Sequence, residues 1–66
     1  MNNKERCNFI HNVLSQQYEE VHCLAGKEEN GATIIIRRNN RIPIRADYSQ
    51  KQLEKLVSTL TTNTNV

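Results

Sequence analysis

Residues 32–46 read ATIIIRRNNRIPIRA, and this stretch decides the fold. The β-branched run at Ala32–Arg37 has the strongest strand propensity in the chain. Apolar and polar residues alternate through Arg41–Ala46, which predicts a second strand. Because only Arg38–Asn40 separates the two runs, we expect them to form an antiparallel hairpin.

The length of the turn decides which side chains of this hairpin share a face. A two-residue turn would leave Ile34 and Ile36 among the arginines. A three-residue turn at Arg38–Asn40, with its last residue left-handed, instead pairs Ile36 with Ile42. Ile34 then lies opposite Ile44, and one apolar row faces the core. We therefore predict the three-residue turn.

Two elements precede the hairpin. Apolar residues at helical spacing predict an amphipathic helix from Lys4 to about Gln17, with Asn2 or Asn3 as its N-cap. The segment Glu20–Gly26 has the pattern of a strand that ends at its glycine. The pair Asn30-Gly31 then favours a turn into the hairpin, because both residues tolerate positive φ.

A second helix follows the hairpin. Ser49 and Gln52 form a capping box, and an apolar stripe continues from Leu53 to Leu60. The sequence thus predicts an α+β fold of order α-β-β-β-α, in which two helices pack on a three-stranded antiparallel sheet. We expect residues 1–60 to form a single domain and residues 61–66 to form a flexible polar tail.

Size and cysteine content predict the class of protein. With 66 residues, of which 36% are hydrophobic, the chain has room for one small core. Cys7 and Cys23 are too few for the disulfide framework of a small secreted module, so we expect reduced thiols packed as small core residues. The N-terminus is polar, and no run approaches the roughly 20 apolar residues of a membrane span. These features predict a cytoplasmic protein whose small core favours a homodimer.

Charge is segregated along the chain. Residues 19–29 hold four glutamates and one lysine, a balance of 1 − 4 = −3, whereas residues 37–45 hold four arginines and no acid, a balance of +4. These arginines are Arg37, Arg38, Arg41 and Arg45. Guanidinium groups held on a sheet can fork to phosphate oxygens or grip an acidic protein surface. The set is therefore the candidate binding site, and the alternative is an exposed face that only keeps the protein soluble.

The predicted register has two further consequences for the arginine face. It places Arg37 opposite Arg41, an unfavourable pair unless an anion or an acidic side chain lies between them. Pro43 has no N–H and so predicts an edge strand or a bulge. Ile35 and Pro43 are the apolar residues of this face, where a second copy of the chain could cover them.

Histidines and cysteines supply two more candidates. Cys7 and His11 lie four apart on the predicted helix and could reach one metal ion. His22 and Cys23 are neighbours on a strand and point to opposite faces, so all four cannot join one site. We therefore expect neither a metal site nor a cofactor. His22 also stands without a serine or carboxylate at a catalytic spacing, which favours a non-enzymatic role.

The predicted element order is shared with double-stranded-RNA-binding-like folds, including HicA-type mRNA interferase toxins, whose active histidine lies on the first strand. The chain resembles them in topology alone. It reads Val21-His22-Cys23-Leu24 where those toxins carry Gly-Ser-His. The last helix lacks the basic start of the RNA-binding members, because Glu54 lies between Lys51 and Lys55.

Two classes of function follow from these features. The first is a small non-enzymatic regulatory or accessory module that binds nucleic acid or another polyanion through the arginine-rich hairpin. The second is a protein-binding adaptor or inhibitor that acts as a homodimer through its sheet edge or hairpin. A nuclease-like activity that depends on His22 is the third hypothesis.

Overall fold

The protein folds as a helix, three strands and a helix, which confirms the predicted α-β-β-β-α order. The computed structural model describes residues 1–64. Its elements are α1 (Asn3–Leu14), β1 (Glu20–Ala25), a 3-10 turn (Lys27–Glu29), β2 (Ala32–Arg37), β3 (Ile44–Tyr48) and α2 (Gln50–Thr64).

The strands form one antiparallel sheet in the order β1-β2-β3, so that β2 is central. In the β2–β3 pair, Ile36 lies opposite Ile44, and Ile34 lies opposite Ala46. The predicted pairing of Ile36 with Ile42 is therefore wrong by two residues, as is that of Ile34 with Ile44. Because a shift of two residues preserves the alternation of faces, Ile34, Ile36 and Ile44 still point to one side.

The register differs because the β2–β3 connection is longer than predicted and spans residues 38–43. Asn40 is left-handed as predicted, with φ 60°. Its backbone N–H donates to the Glu19 carboxylate at 3.1 Å, which holds the turn away from the ladder. Pro43 has no N–H to give to a ladder and directly precedes the edge strand. Ile42 consequently lies outside the sheet and is 87% exposed.

Both helices cover the same side of the sheet, which we name the inner face. Cys7 and Ile10 of α1 pack there with Leu53 of α2. Their buried partners on β2 are Ala32 and Ile34. The opposite side, the outer face, carries the alternate residues of each strand, and no helix of the described chain covers it. The molecule thus has two layers and one core between them.

Side-chain caps set the start of both helices. The Asn2 side chain accepts the backbone N–H of Glu5 at 2.8 Å, and the Glu5 carboxylate accepts that of Asn2 at 3.1 Å. Ser49 and Gln52 form the predicted capping box, with distances of 2.9 and 3.2 Å. These bonds satisfy N–H groups for which a helix supplies no internal partner.

Cys7 of α1 and Cys23 of β1 form a disulfide on the inner face. The expectation of reduced thiols is therefore wrong, whereas Cys7 does pack in the core as predicted, with 6% exposure. The apolar stripe of α1 lies over the inner row of β1, and this contact brings the two Cα atoms within 5.2 Å. That separation is ordinary for a disulfide. One disulfide can link two adjacent elements without the several disulfides of a small secreted module.

The last helix extends beyond the predicted end of the domain. Helical backbone continues through Thr64 and so includes part of the segment 61–66 that was predicted as a tail. Residues 65 and 66 lie outside the described residues, and the flexibility of the tail stays a prediction. Within residues 1–64, no helix is both long enough and apolar enough to span a membrane.

Candidate functional site

Arg37 and Arg45 lie on the outer face beside acidic side chains. The Nε atom of Arg37 is 3.2 Å from the Glu20 carboxylate, and its Nη1 atom is 3.4 Å from that of Glu19. The Nε atom of Arg45 is 3.6 Å from the Asp47 carboxylate. Both cations therefore have acidic neighbours within their own chain.

Arg38 and Arg41 lie in the β2–β3 loop. The prediction that Arg41 faces Arg37 across the hairpin is wrong, because the longer loop takes Arg41 out of the ladder. The Arg41 backbone N–H donates to the Arg38 carbonyl at 3.0 Å and closes a turn. The Arg38 guanidinium lies 5.2 Å from the centre of the Tyr18 ring, a cation–π contact. Among residues 1–64, neither of these two arginines forms an ion pair.

An apolar groove opens on the inner face between the end of α1 and the β2–β3 loop, and we name it the inner groove. It consists of two adjoining cavities of about 240 and 270 Å³ that share Tyr18, Ile36 and Ile44. Leu14 of α1 and Leu56 of α2 line its apolar end. The groove exists because the helices cover only part of the inner row that β2 and β3 present.

The other end of the inner groove is basic. Arg38 and Arg41 line it together with Ile42. Ile44, in the floor between the two ends, is 64% exposed although it belongs to the inner row of the sheet. The groove therefore combines exposed apolar side chains with two cations from the predicted set of four.

A second groove of about 480 Å³, the edge cleft, runs between β3 and α2. Ala46, Tyr48 and Leu56 line it and also line the inner groove. Lys55 of α2 also lines it. The two grooves together follow β3 along its inner side.

The histidines and cysteines are dispersed. His22 lies exposed on the outer face with its Nε2 atom 3.9 Å from the Glu20 carboxylate. Cys23 points inward and is bonded to Cys7, and His11 is exposed on α1. No group of three or more His, Cys, Asp or Glu side chains within the described chain is placed to hold a metal ion.

Sequence patterns did not indicate the inner groove. The sequence predicts that Ile36 and Ile44 face the core, whereas the structure leaves Ile44 64% exposed. One signal was present: the inner row of the hairpin is long, and few apolar positions on the two helices remain to cover it. When a sheet face carries more apolar side chains than its helices can cover, some of these side chains stay exposed to solvent.

Comparisons with protein-family models, curated proteins and solved structures found no match to the chain. The shape, exposure and charge of the grooves are therefore the observations from which we infer a function. The inner groove is the surface that joins an apolar floor to cations without an acidic partner in the described part of the chain.

Proposed function

We propose that this protein is a non-enzymatic protein-binding module whose inner groove receives a short partner segment with apolar and acidic side chains. Ile36 and Ile44 form the floor that takes the apolar side chains. Arg38 and Arg41 contact the carboxylates. The observation that carries the proposal is the position of two guanidinium groups, which form no ion pair within residues 1–64, at the end of an exposed apolar groove.

The exposure of the groove supports an interaction role. Ile42 and Ile44 are separated only by Pro43, line the same cavity and are 87% and 64% exposed. Contiguous exposed apolar side chains beside polar ones are typical of interaction surfaces, whereas single exposed ones are ordinary. A partner that covers both isoleucines would remove this apolar area from water.

Charge supports an acidic partner. The ring of Tyr18 holds the Arg38 guanidinium in place, which reduces the entropy lost when it binds a carboxylate. Arg37 and Arg45 have acidic neighbours, so the loop arginines supply most of the unbalanced positive charge near the groove. Complementary charge at the rim of an interface speeds association and selects the partner.

Binding of synthetic peptides tests the proposal. A peptide with two leucines flanked by glutamates is titrated into isotope-labelled protein, and the backbone amide shifts are followed. We expect saturable shifts at Ile36, Ile44 and Arg41. A peptide with lysines in place of the glutamates should bind at least about tenfold more weakly. Equal affinity for both peptides, or shifts spread over the outer face, would contradict the proposal.

Two pairs of matched variants locate the binding. Ile42→Ser changes an exposed apolar residue in the groove, and Leu24→Ser changes one on the outer face that is 58% exposed. We expect Ile42→Ser to weaken peptide binding about tenfold and Leu24→Ser to leave it unchanged. Arg41→Ala and Arg45→Ala form the second pair, and only Arg41→Ala should weaken binding. If the two variants of each pair bind the peptide with the same affinity, the groove is not the binding site.

A second candidate is the polyanion-binding function predicted from the arginines, and Arg38 and Arg41, which form no ion pair among the described residues, favour it. Arg38 and Arg41 can contact two phosphates, which predicts a slope of about −2 for affinity against salt on logarithmic axes. Titration of a fluorescent RNA or DNA duplex at several salt concentrations measures this slope. Replacing Arg38 and Arg41 by alanine should abolish duplex binding, whereas replacing Arg37 and Arg45 should change it little. A duplex that does not bind at low salt removes this candidate.

The cytoplasmic location predicted from the sequence stays a prediction. The Cys7–Cys23 disulfide bears on it, because disulfides persist mainly in oxidising compartments. Alkylation of thiols in intact cells, followed by mass spectrometry, measures the bonded fraction. Fully alkylated cysteines would support the cytoplasmic location, and a protected pair would contradict it.

A further inference from the structure

The strand β3 has an open edge. It pairs with β2 on one side, and within residues 1–64 no strand lies on its other side. The N–H and C=O groups along such an edge can pair with a strand of another chain. Ile44, Arg45 and Asp47 of this strand are exposed. The edge is therefore accessible along most of its length.

The sequence of β3 is complementary to itself about Ala46. When two copies pair antiparallel with the two Ala46 residues opposite each other, Arg45 of each copy lies opposite Asp47 of the other. Ile44 of each copy likewise lies opposite Tyr48 of the other. Since alternate residues share a face, the two charged pairs lie on the outer face and the two apolar pairs on the inner face.

We propose that this protein forms a symmetric dimer through β3, which joins two three-stranded sheets into one continuous sheet. The dimer is a property beyond the proposed peptide binding and does not depend on it. Ile44 of the second copy, opposite Tyr48, points to the inner side of the sheet beside the edge cleft that Tyr48 lines.

Charge selects this register over its neighbours. Pairing centred on Arg45 places two arginines opposite each other, and pairing centred on Asp47 does the same with two aspartates. Only the register centred on Ala46 places an arginine of one copy opposite an aspartate of the other at two positions. The other edge strand, β1, contains neither arginine nor lysine and offers no equivalent pair.

The two charged residues are already neighbours within one chain. Arg45 lies 3.6 Å from Asp47, and their side chains are 69% and 73% exposed. The Thr33 hydroxyl also donates to Asp47 at 2.8 Å, which orients the carboxylate on the outer face. In the dimer each guanidinium lies between two carboxylates, one from each copy. Networks of this kind are more favourable than an isolated surface pair.

Sedimentation equilibrium at several salt concentrations tests the dimer. The wild-type chain should show a monomer–dimer equilibrium that weakens as salt rises. Arg45→Asp and Asp47→Arg each turn two opposite-charge pairs into two like-charge pairs, so each should weaken dimerisation at least about tenfold. Arg41→Asp makes the same change of charge in the loop, outside β3, and should dimerise like the wild type.

Mixing the two variants tests the register. In an equimolar mixture of Arg45→Asp and Asp47→Arg, an acidic strand faces a basic strand, so association should recover as a heterodimer. Recovery also shows that both variants fold. A wild-type chain that stays monomeric, single variants that associate like the wild type, or a mixture that stays monomeric would each overturn the proposal.

Discussion

The side-chain amides of Asn3 and Gln50 bond each other reciprocally and join the starts of the two helices. Asn3 Nδ2 donates to Gln50 Oε1 at 2.7 Å, and Gln50 Nε2 donates to Asn3 Oδ1 at 3.0 Å. The same Gln50 oxygen accepts the backbone N–H of Gly31 at 2.8 Å. With Asn3 only 3% exposed, this pair ties α1, α2 and the β1–β2 connection together at one buried point.

We expect Asn3→Ala to lower the free energy of unfolding by about 1–3 kcal/mol, because it leaves buried amide groups without partners. Asn12→Ala, at an exposed position of α1, should change it by less than about 0.5 kcal/mol. Urea unfolding measures both. In a double-mutant cycle, Asn3→Ala and Gln50→Ala together should cost less than the sum of the two single changes. Additive losses would show that the pair does not act as a unit.

Reduction of the Cys7–Cys23 disulfide should lower the free energy of unfolding by about 3 kcal/mol, the value for a closed loop of this size. The two cysteines are 16 residues apart in sequence. Urea unfolding with and without reductant measures the difference. The control is the double variant Cys7→Ser and Cys23→Ser, whose stability should not respond to reductant. A wild-type chain whose free energy of unfolding also does not change with reductant would contradict the prediction.

Gly31→Ala should destabilise the fold by more than about 1 kcal/mol, since an alanine is strained at positive φ. Gly31 has φ +82°, and a Cβ atom there would clash with the Tyr48 carbonyl oxygen. Gly26→Ala is the matched comparison, because its nearest neighbour would be at 3.2 Å and its φ is −73°. Thermal unfolding should show the larger loss for Gly31→Ala. Equal losses would mean that the close approach at Tyr48 is relieved by a small shift.

Ile42 tests the register of the hairpin directly, and the buried Ile10 of α1 is its reference. Ile10 is 0% exposed and Ile42 is 87% exposed. We expect Ile10→Ala to cost about 2–5 kcal/mol of stability. Ile42→Ala should cost less than about 0.5 kcal/mol, as at most surface positions. A large loss at Ile42 would instead favour the hairpin register in which this residue pairs with Ile36.

Local signals account for the parts of the fold that were predicted correctly. The β-branched run of β2 and the capping box at Ser49 and Gln52 act over a few residues, so their outcome can be derived from sequence. The register of β3 could not be derived in this way. It depends on the bond from Asn40 to Glu19, a residue distant in sequence, and on the absence of an N–H at Pro43.

The candidate site was harder to predict, because it depends on how far each helix reaches over the sheet. Four arginines close in sequence were expected to act together, but the loop separates Arg38 and Arg41 from Arg37 and Arg45. Ion pairs with Glu19 and Glu20 also depend on the β1–β2 pairing. The disulfide was missed for a similar reason: the count of cysteines carries no information on the 5.2 Å between their Cα atoms.

The β2–β3 loop contributes no residue to the ladder or to the buried core. Under the proposed function this loop supplies the charged end of the inner groove, and Ile36 and Ile44 of the strands supply its apolar floor. Substitutions at Arg38, Arg41 and Ile42 change the charged end of the groove, whereas Asn40 and Pro43 keep the register of β3. These three positions are natural sites for diversification, by evolution or in a combinatorial library built on this scaffold.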